Sequence, residues 1–175
     1  LKDAGSANDA STRLAAWVEE HGPAVFGYLL HLVRNRHLAE DLLQEVFCRA
    51  WAAHARYAEQ GKARAYLLRI ADRLARLHRR RPAVIRVPLS DVVEDALAGE
   101  ASPLERLEQY EHRRQLYEAL ALLSDLQRRT LLLRYYGNLE FSEIAAILGC
   151  PLNTVLSHAH RGLRKLKDML AERMV

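Results

Sequence analysis

The stretch RPAVIRVPLSDVVEDALAGEASP, residues 81 to 103, holds three prolines and no sustained helical period. A proline within a helix removes a backbone hydrogen bond and crowds the preceding turn, so this spacing ends helices rather than continuing them. The chain is therefore expected to divide into a front unit over residues 13–81, a linker over 82–103 and a rear unit over 104–175. Residues 1–12, LKDAGSANDAST, are small and polar and are expected to be a disordered lead-in. Both units carry apolar residues at helical spacing, and no stretch alternates with a period of two for long enough to form a strand. The expected fold class is all-α, two small helical domains joined by an acidic linker; 175 residues are enough for them.

Charge follows the same division. Between Lys62 and Arg86 there are nine basic residues against one acid, Asp72, whereas from Val87 to Glu111 there are seven acids against one base, Arg106. The net charge of +4 matters less than this local reversal. No apolar run approaches the ~20 residues a bilayer-spanning helix needs, so no membrane insertion is expected. The two cysteines, Cys48 and Cys150, lie far apart at apolar helical positions, which favours buried thiols over a disulfide and points to a cytoplasmic protein.

In the front unit, TRLAAWVEEH and PAVFGYLLHLVRN read as two helices about a Gly22–Pro23 break. HLAEDLLQEVFCRAWAAHARY places Leu42, Val46, Phe47, Ala50 and Trp51 on one stripe and Asp41, Gln44, Glu45 and Arg49 on another. KARAYLLRIADRLARLHRRR is read as burying Leu67, Ile70, Leu74 and Leu77 beneath Arg69, Arg73, Arg76, Arg79, Arg80 and Arg81. In the rear unit, helical patterns cover residues 104–122, 125–136, 140–148 and 152–171. Ser124 with Gln127 fits a capping box, and Ser142 is placed to assist the following helix start. Ile144, Ala145, Leu148, Cys150 and Val155 fall where the paired helices of a helix-turn-helix pack, and Gly149 suits the turn between them. On spacing alone this remains either a DNA-reading unit or an ordinary helix pair. The acidic face of the second pattern is likewise either a docking surface or plain solvation.

Taken in order, AEDLLQEVFCRAW, YLLRIADRLARLHRRR, the acidic linker and LLSDLQRRTLLLRYYGNLEFSEIAAILGCPLNTVLSHAHRGLRKL resemble the bacterial extracytoplasmic-function sigma factors of the sigma-70 family. The similarity runs from about Leu14 to Leu170. It implies a transcription-initiation subunit with no bond-making residues and no cofactor. The front unit corresponds to sigma region 2, which docks on the core RNA polymerase clamp and opens the promoter at the −10 element. The rear unit corresponds to region 4, which reads the −35 element. The linker would run towards the RNA exit path, where its acids can imitate RNA.

The resemblance also implies roles for particular residues. Asp41, Gln44 and Glu45 match the clamp-binding positions. Tyr57, Tyr66, Arg69, Arg73, Arg76, Arg79 and Arg80 match the −10 DNA surface, where aromatic planes hold an unstacked base and arginines neutralise phosphate. Asn153, Thr154, Leu156, Ser157, His158, Arg161, Arg164 and Lys165 match the −35 DNA surface. Several positions depart from the family pattern. Tyr66 stands where a tryptophan is usual, Ala63 where an aromatic is common, and Arg73 where asparagine is common. TVLSH replaces TVKSR, so Leu156 and His158 remove two cationic positions, including an arginine able to read guanine bidentately. Promoter DNA and core polymerase are the implied partners, with an anti-sigma factor as the family commonly has.

Other chemistry finds no support in the pattern. His158 and His160 diverge on a helix, as do Cys48 and His54, so no metal site is expected. No nucleophile–base arrangement and no phosphate-binding glycine loop is present. The rival readings are a helix-turn-helix regulator acting without polymerase, which leaves AEDLLQEVF unexplained, and a sigma-like protein-binding adaptor, which would account for Leu156 and His158.

Overall fold

A computed structural model describes the backbone of residues 3–54, 61–79 and 103–171, and the side chains of 11–54, 61–79 and 111–171. The described residues form helices α1 (Asp3–Val33), α2 (Arg36–Ala52), α3 (Ala63–Arg79), α4 (Pro103–Ala121), α5 (Asp125–Tyr135), α6 (Phe141–Leu148) and α7 (Leu152–Ala171). No strand occurs among them. The expected linker falls almost wholly outside the described residues.

The front helices α1, α2 and α3 pack on one another around Val25, Tyr28, Leu29, Leu42, Val46, Leu67 and Leu68. α2 starts where Asn35, extended at φ −149°, accepts a hydrogen bond from the Leu38 amide. An N-cap asparagine of this kind satisfies an amide that the first turn leaves unpaired. The rear helices α4 to α7 close around Leu120, Leu131, Leu132, Leu133, Ile144 and Val155. Replacing a fully buried leucine such as Leu133 with alanine would cost ~2–5 kcal/mol, because apolar burial is forfeited and a cavity is left behind.

Two helix ends confirm sequence signals in detail. Ser124 caps α5 through a reciprocal box, its hydroxyl accepting from the Gln127 amide while the Gln127 side chain accepts from the Ser124 amide. Gly149 ends α6 in the left-handed region at φ 67°, and its amide donates to Ala145 O at 2.9 Å. A non-glycine residue would be strained there.

Other expectations need correction. The lead-in and the two helices about Gly22–Pro23 are replaced by the single helix α1, which begins at Asp3. Proline does not break it because Pro23 is exposed, while Trp17, His21, Val25, Tyr28, Leu29 and Leu32 continue one buried stripe across it. A packed face of this length outweighs one missing hydrogen bond. α6 starts at Phe141 with Glu140 as its N-cap, within a residue of the expected start, but the assisting side chain is Glu143 rather than Ser142: Glu143 accepts from the Glu140 amide at 3.0 Å. Trp51 is exposed and stacks on His54 instead of joining the α2 core stripe. Leu77 is also exposed, because it follows the outer side of α3. Cys48 lies exposed on the polar side of α2, whereas Cys150 is half-buried; both are free.

The two halves touch. α6 packs on α3 and α5 on α1, so the apolar core runs continuously from one half to the other. Glycine backbones lie close against side chains of the opposite half at this junction. A Cβ at Gly27 would lie 3.0 Å from the Tyr136 ring, and one at Gly137 would lie 2.8 Å from Leu68 Cδ1.

Candidate nucleic-acid interface

α3 separates its charges onto two faces. Arg69, Arg73 and Arg76 recur at intervals of four and three and are all exposed, forming one stripe along the outer side of the helix. Asp72 and Arg79, seven apart, lie on a different face that meets the rear half. Asp72 is 2% exposed and accepts two hydrogen bonds from the Arg129 guanidinium, each 2.6 Å, and one from the Tyr28 hydroxyl at 2.7 Å. Arg79 pairs with Asp125, which also receives Arg129 at 3.3 Å. In this conformation, then, Arg79 remains exposed, but its guanidinium is paired with Asp125 of the rear half rather than lying free beside Arg69, Arg73 and Arg76. Arg80 lies outside the described residues.

The electrostatics of that junction follow from burial and pairing. Desolvation is the largest single effect and opposes the charge of Arg129, but the bonds it donates to Asp72, together with the negative charges around it, outweigh desolvation and hold its pKa above the ordinary arginine value. Burial pushes the Tyr28 hydroxyl well up, so it remains a donor. Burial also opposes the charge of Asp125, yet Arg79 and Arg129 bring its carboxyl below the ordinary aspartate value.

Tyr66, on the first turns of α3, is half-buried with its ring edge towards Trp17, centroids 6.2 Å apart. Burial raises its pKa. Tyr57, expected beside it, lies outside the described residues. Ala63 is buried rather than presented to solvent. On α2, Asp41 and Gln44 are exposed, whereas Glu45 is half-exposed and accepts from Arg49 Nε at 2.6 Å. These three side chains share the outer region of the helix with Cys48, opposite the buried Leu42 and Val46.

On α7, Val155, Ala159, Gly162 and Leu166 form the buried face. Asn153, Leu156, Ser157, Arg161 and Arg164 are exposed, and Thr154 is intermediate. Arg161 turns back to Ser157 O at 3.2 Å. Lys165 donates to Leu122 O at 2.7 Å and so ties α7 to the end of α4, a local role absent from the sequence reading. Leu156 and His158, two residues apart, are ~200° apart around the helix and do not share one face. Leu156 is 41% exposed. His158 is half-buried, and its Nδ1 is buried without a hydrogen-bond partner. Asp72, Arg129 and Tyr28 are the functional-site neighbours that sequence reasoning missed, since a pair 57 residues apart leaves no local spacing signal.

Among the described residues no group of His, Cys, Asp or Glu could hold a metal ion, and no helix is long and apolar enough to cross a membrane. Residues 17–83 match the family model described as Sigma-70 region 2, and residues 113–166 match that of Sigma-70, region 4. The chain is 30% identical over 159 residues to the ECF RNA polymerase sigma factor SigK of Mycobacterium bovis, covering 83% of this chain and 79% of the relative. It is 33% identical over 154 residues to the RNA polymerase sigma factor CarQ of Myxococcus xanthus, covering 87% and 86%. Similar solved folds include CnrH in complex with the cytosolic domain of CnrY, with a TM-score of 0.67, 23% identity and coverage of 95% and 94%. Another is RpoE in complex with the anti-sigma factor NepR from Bartonella quintana, with a TM-score of 0.66, 20% identity and coverage of 90% and 96%.

Proposed function

This chain belongs to the extracytoplasmic-function RNA polymerase sigma factors of the sigma-70 family, and on that premise we propose how its named residues divide the work. A sigma factor directs initiation, while the polymerase makes the phosphodiester bonds. Asp41, Gln44 and Glu45 dock the front unit on core polymerase. Their exposure on a helix whose opposite face is buried supports this reading, because docking there leaves the core intact. The chain works in the cytoplasm, where core polymerase and promoter DNA are its partners.

The exposed stripe Arg69, Arg73 and Arg76 carries the −10 reading furthest. Three cations on one helix face, with no acid among them, suit a phosphate backbone better than a mixed solvated surface. Tyr66 supplies an aromatic plane beside it, and Tyr57 and Arg80 join this surface by sequence position. Asn153, Thr154, Leu156, Ser157, Arg161 and Arg164 face the −35 duplex from α7, with Leu156 suited to a thymine methyl rather than a guanine. His158 and Lys165 contribute less, since one is half-buried and the other is bonded to Leu122 O. An anti-sigma factor is a further partner, supported by the fold shared with chains solved in such complexes.

Run-off transcription with purified core polymerase tests the reading. Start sites sharing one −10 and one −35 sequence are expected only when this protein is present. The same transcripts from core alone, or none with the protein, would refute it.

A further inference from the structure

Arginines gather at the end of α1, the end of α3 and the start of α5 in excess of the acids that face them. Arg129 is matched by Asp72, which accepts both of its 2.6 Å bonds. That leaves Asp125 to serve Arg79, with which it pairs, and Arg128, whose Nη2 is 3.5 Å away. Arg34, the residue after α1, is half-buried and brings a further positive charge to bear on Arg128. Among the described residues it has no ion-pair partner.

Arg128 is the most confined of these cations. It is 8% exposed, and its Nε is buried without a hydrogen-bond partner. A guanidinium this short of water depends on nearby counter-charge, because a buried charge left unmatched is strongly unfavourable. Burial brings its pKa below the ordinary arginine value; Arg79 and Arg34 push the same way, and Asp125 offsets only part of this. Arg34 itself sits in the left-handed region at φ 54°, a conformation that glycine would adopt without strain.

Planar guanidinium forks in excess of carboxylates are the chemistry that takes a phosphate group, whose oxygens accept paired N–H donors. The start of α5 adds the positive end of a helix dipole. The setting favours a small anion over nucleic acid. Arg128 is recessed, and the half-exposed carboxylate of Asp125 stands where a DNA backbone would meet a like charge.

We propose that Arg34, Arg79 and Arg128 form a binding site for the phosphate or diphosphate group of a small molecule, with Asp125 as the resident carboxylate that the anion displaces. The site is independent of the docking face on α2 and of the exposed stripe Arg69, Arg73 and Arg76.

Titration of pyrophosphate into the free full-length chain, followed by phosphorus NMR at fixed ionic strength, tests it. The parent should bind saturably at a single site. Arg128→Gln should weaken binding at least about tenfold, the loss expected when one charged hydrogen-bonding group is removed. Arg34→Gly should weaken it at least about threefold without lowering the urea midpoint, since glycine relieves the left-handed backbone. Asp125→Asn should tighten it about threefold or more, because a competing charge is gone. Arg69→Ala with Arg73→Ala removes cations from an exposed face and should leave pyrophosphate binding unchanged. Unsaturable binding, an equal loss in that pair, or parent affinity in Arg34→Gly overturns the proposal. If Arg128→Gln loses helix content by circular dichroism, Arg34→Gly and Asp125→Asn decide. A single-stranded oligonucleotide whose affinity falls with Arg34→Gly as far as that of pyrophosphate also overturns it, by making nucleic acid the occupant. A nucleoside diphosphate that binds more tightly than pyrophosphate upholds the site with an organic phosphate in it, and one that does not upholds it with the inorganic ion.

Discussion

His31 lies between two rings, stacked on Tyr117 at 4.1 Å and tilted against Tyr136 at 4.5 Å. Its Nδ1 is 2.7 Å from Gly27 O, which fixes the proton there, and its Nε2 is buried with no hydrogen-bond partner. A second proton would therefore sit on a desolvated nitrogen with no acceptor, and burial brings the pKa down from 6.5 to about 4, against the raising effect of the Gly27 bond. The unfolded chain then binds more protons between pH 6.5 and pH 4. Stability is complete above pH 6.5 and is lost as pH falls towards 4, by about 2 kcal/mol at pH 5. Urea unfolding at pH 7.5 and pH 5 should show this difference, and His31→Phe should flatten it. A variant with the parent's pH dependence would place the effect elsewhere. Leu156 allows a second test at the same scale. Its exposure lets Leu156→Lys enter without repacking, so duplex binding should strengthen and the salt slope should steepen by about one. His158→Arg should add no such slope and should lower stability, because His158 Nδ1 is already buried. Titrations against duplex DNA at several salt concentrations separate the two, and equal slopes for Leu156→Lys and parent would mean that Leu156 faces away from DNA.

At the scale of the helix, α3 shows what a linear pattern carries and what it omits. Arg69, Arg73 and Arg76 have the spacing of one stripe and prove to be one exposed stripe. Arg69→Ala, Arg73→Ala and Arg76→Ala combined should weaken promoter binding almost equally across sequences and reduce the salt slope by up to about three, one for each phosphate no longer neutralised. Unchanged slopes would identify these arginines as solvated. Arg79 carried the same charge in the same run, yet its direction was set by Asp125, a partner 46 residues away. The rear helices were legible to within a residue or two because their ends are local chemistry: Ser124 with Gln127, and Gly149 at positive φ. Ser124→Ala should accordingly cost ~1 kcal/mol in thermal or urea unfolding. α1 was misread for the converse reason. The Pro23 signal is local, but the buried stripe that overrides it becomes evident only when Trp17 and Leu32 are known to face the same core. Asp72 read as a stray acid among bases because its three hydrogen-bond donors lie on α1 and α5.

For the whole molecule, the decisive length is the chain between domains. Twenty-three residues, 80 to 102, separate the end of α3 at Arg79 from the start of α4 at Pro103. Fully extended at ~3.5 Å each they reach about 80 Å. Each domain of ~70 residues is roughly 28 Å across by the compact-chain scaling. Elements about 85 Å apart, centre to centre, therefore require a connecting reach of about 57 Å. The native length exceeds this and permits both the closed state and simultaneous engagement. Removing ten residues, 88 to 97, would leave about 45 Å, which closes the domains as before but falls short of the second element. The shortened protein should keep the parent's helix content and the parent's compact scattering in the free state. With core polymerase it should lose run-off transcription from promoters that need both elements, and footprinting should show protection at −10 without protection at −35. Restoring ten residues of glycine and serine should return both, since reach rather than sequence is what the deletion removes. Full activity of the shortened protein would mean that the two domains engage the promoter without spanning it.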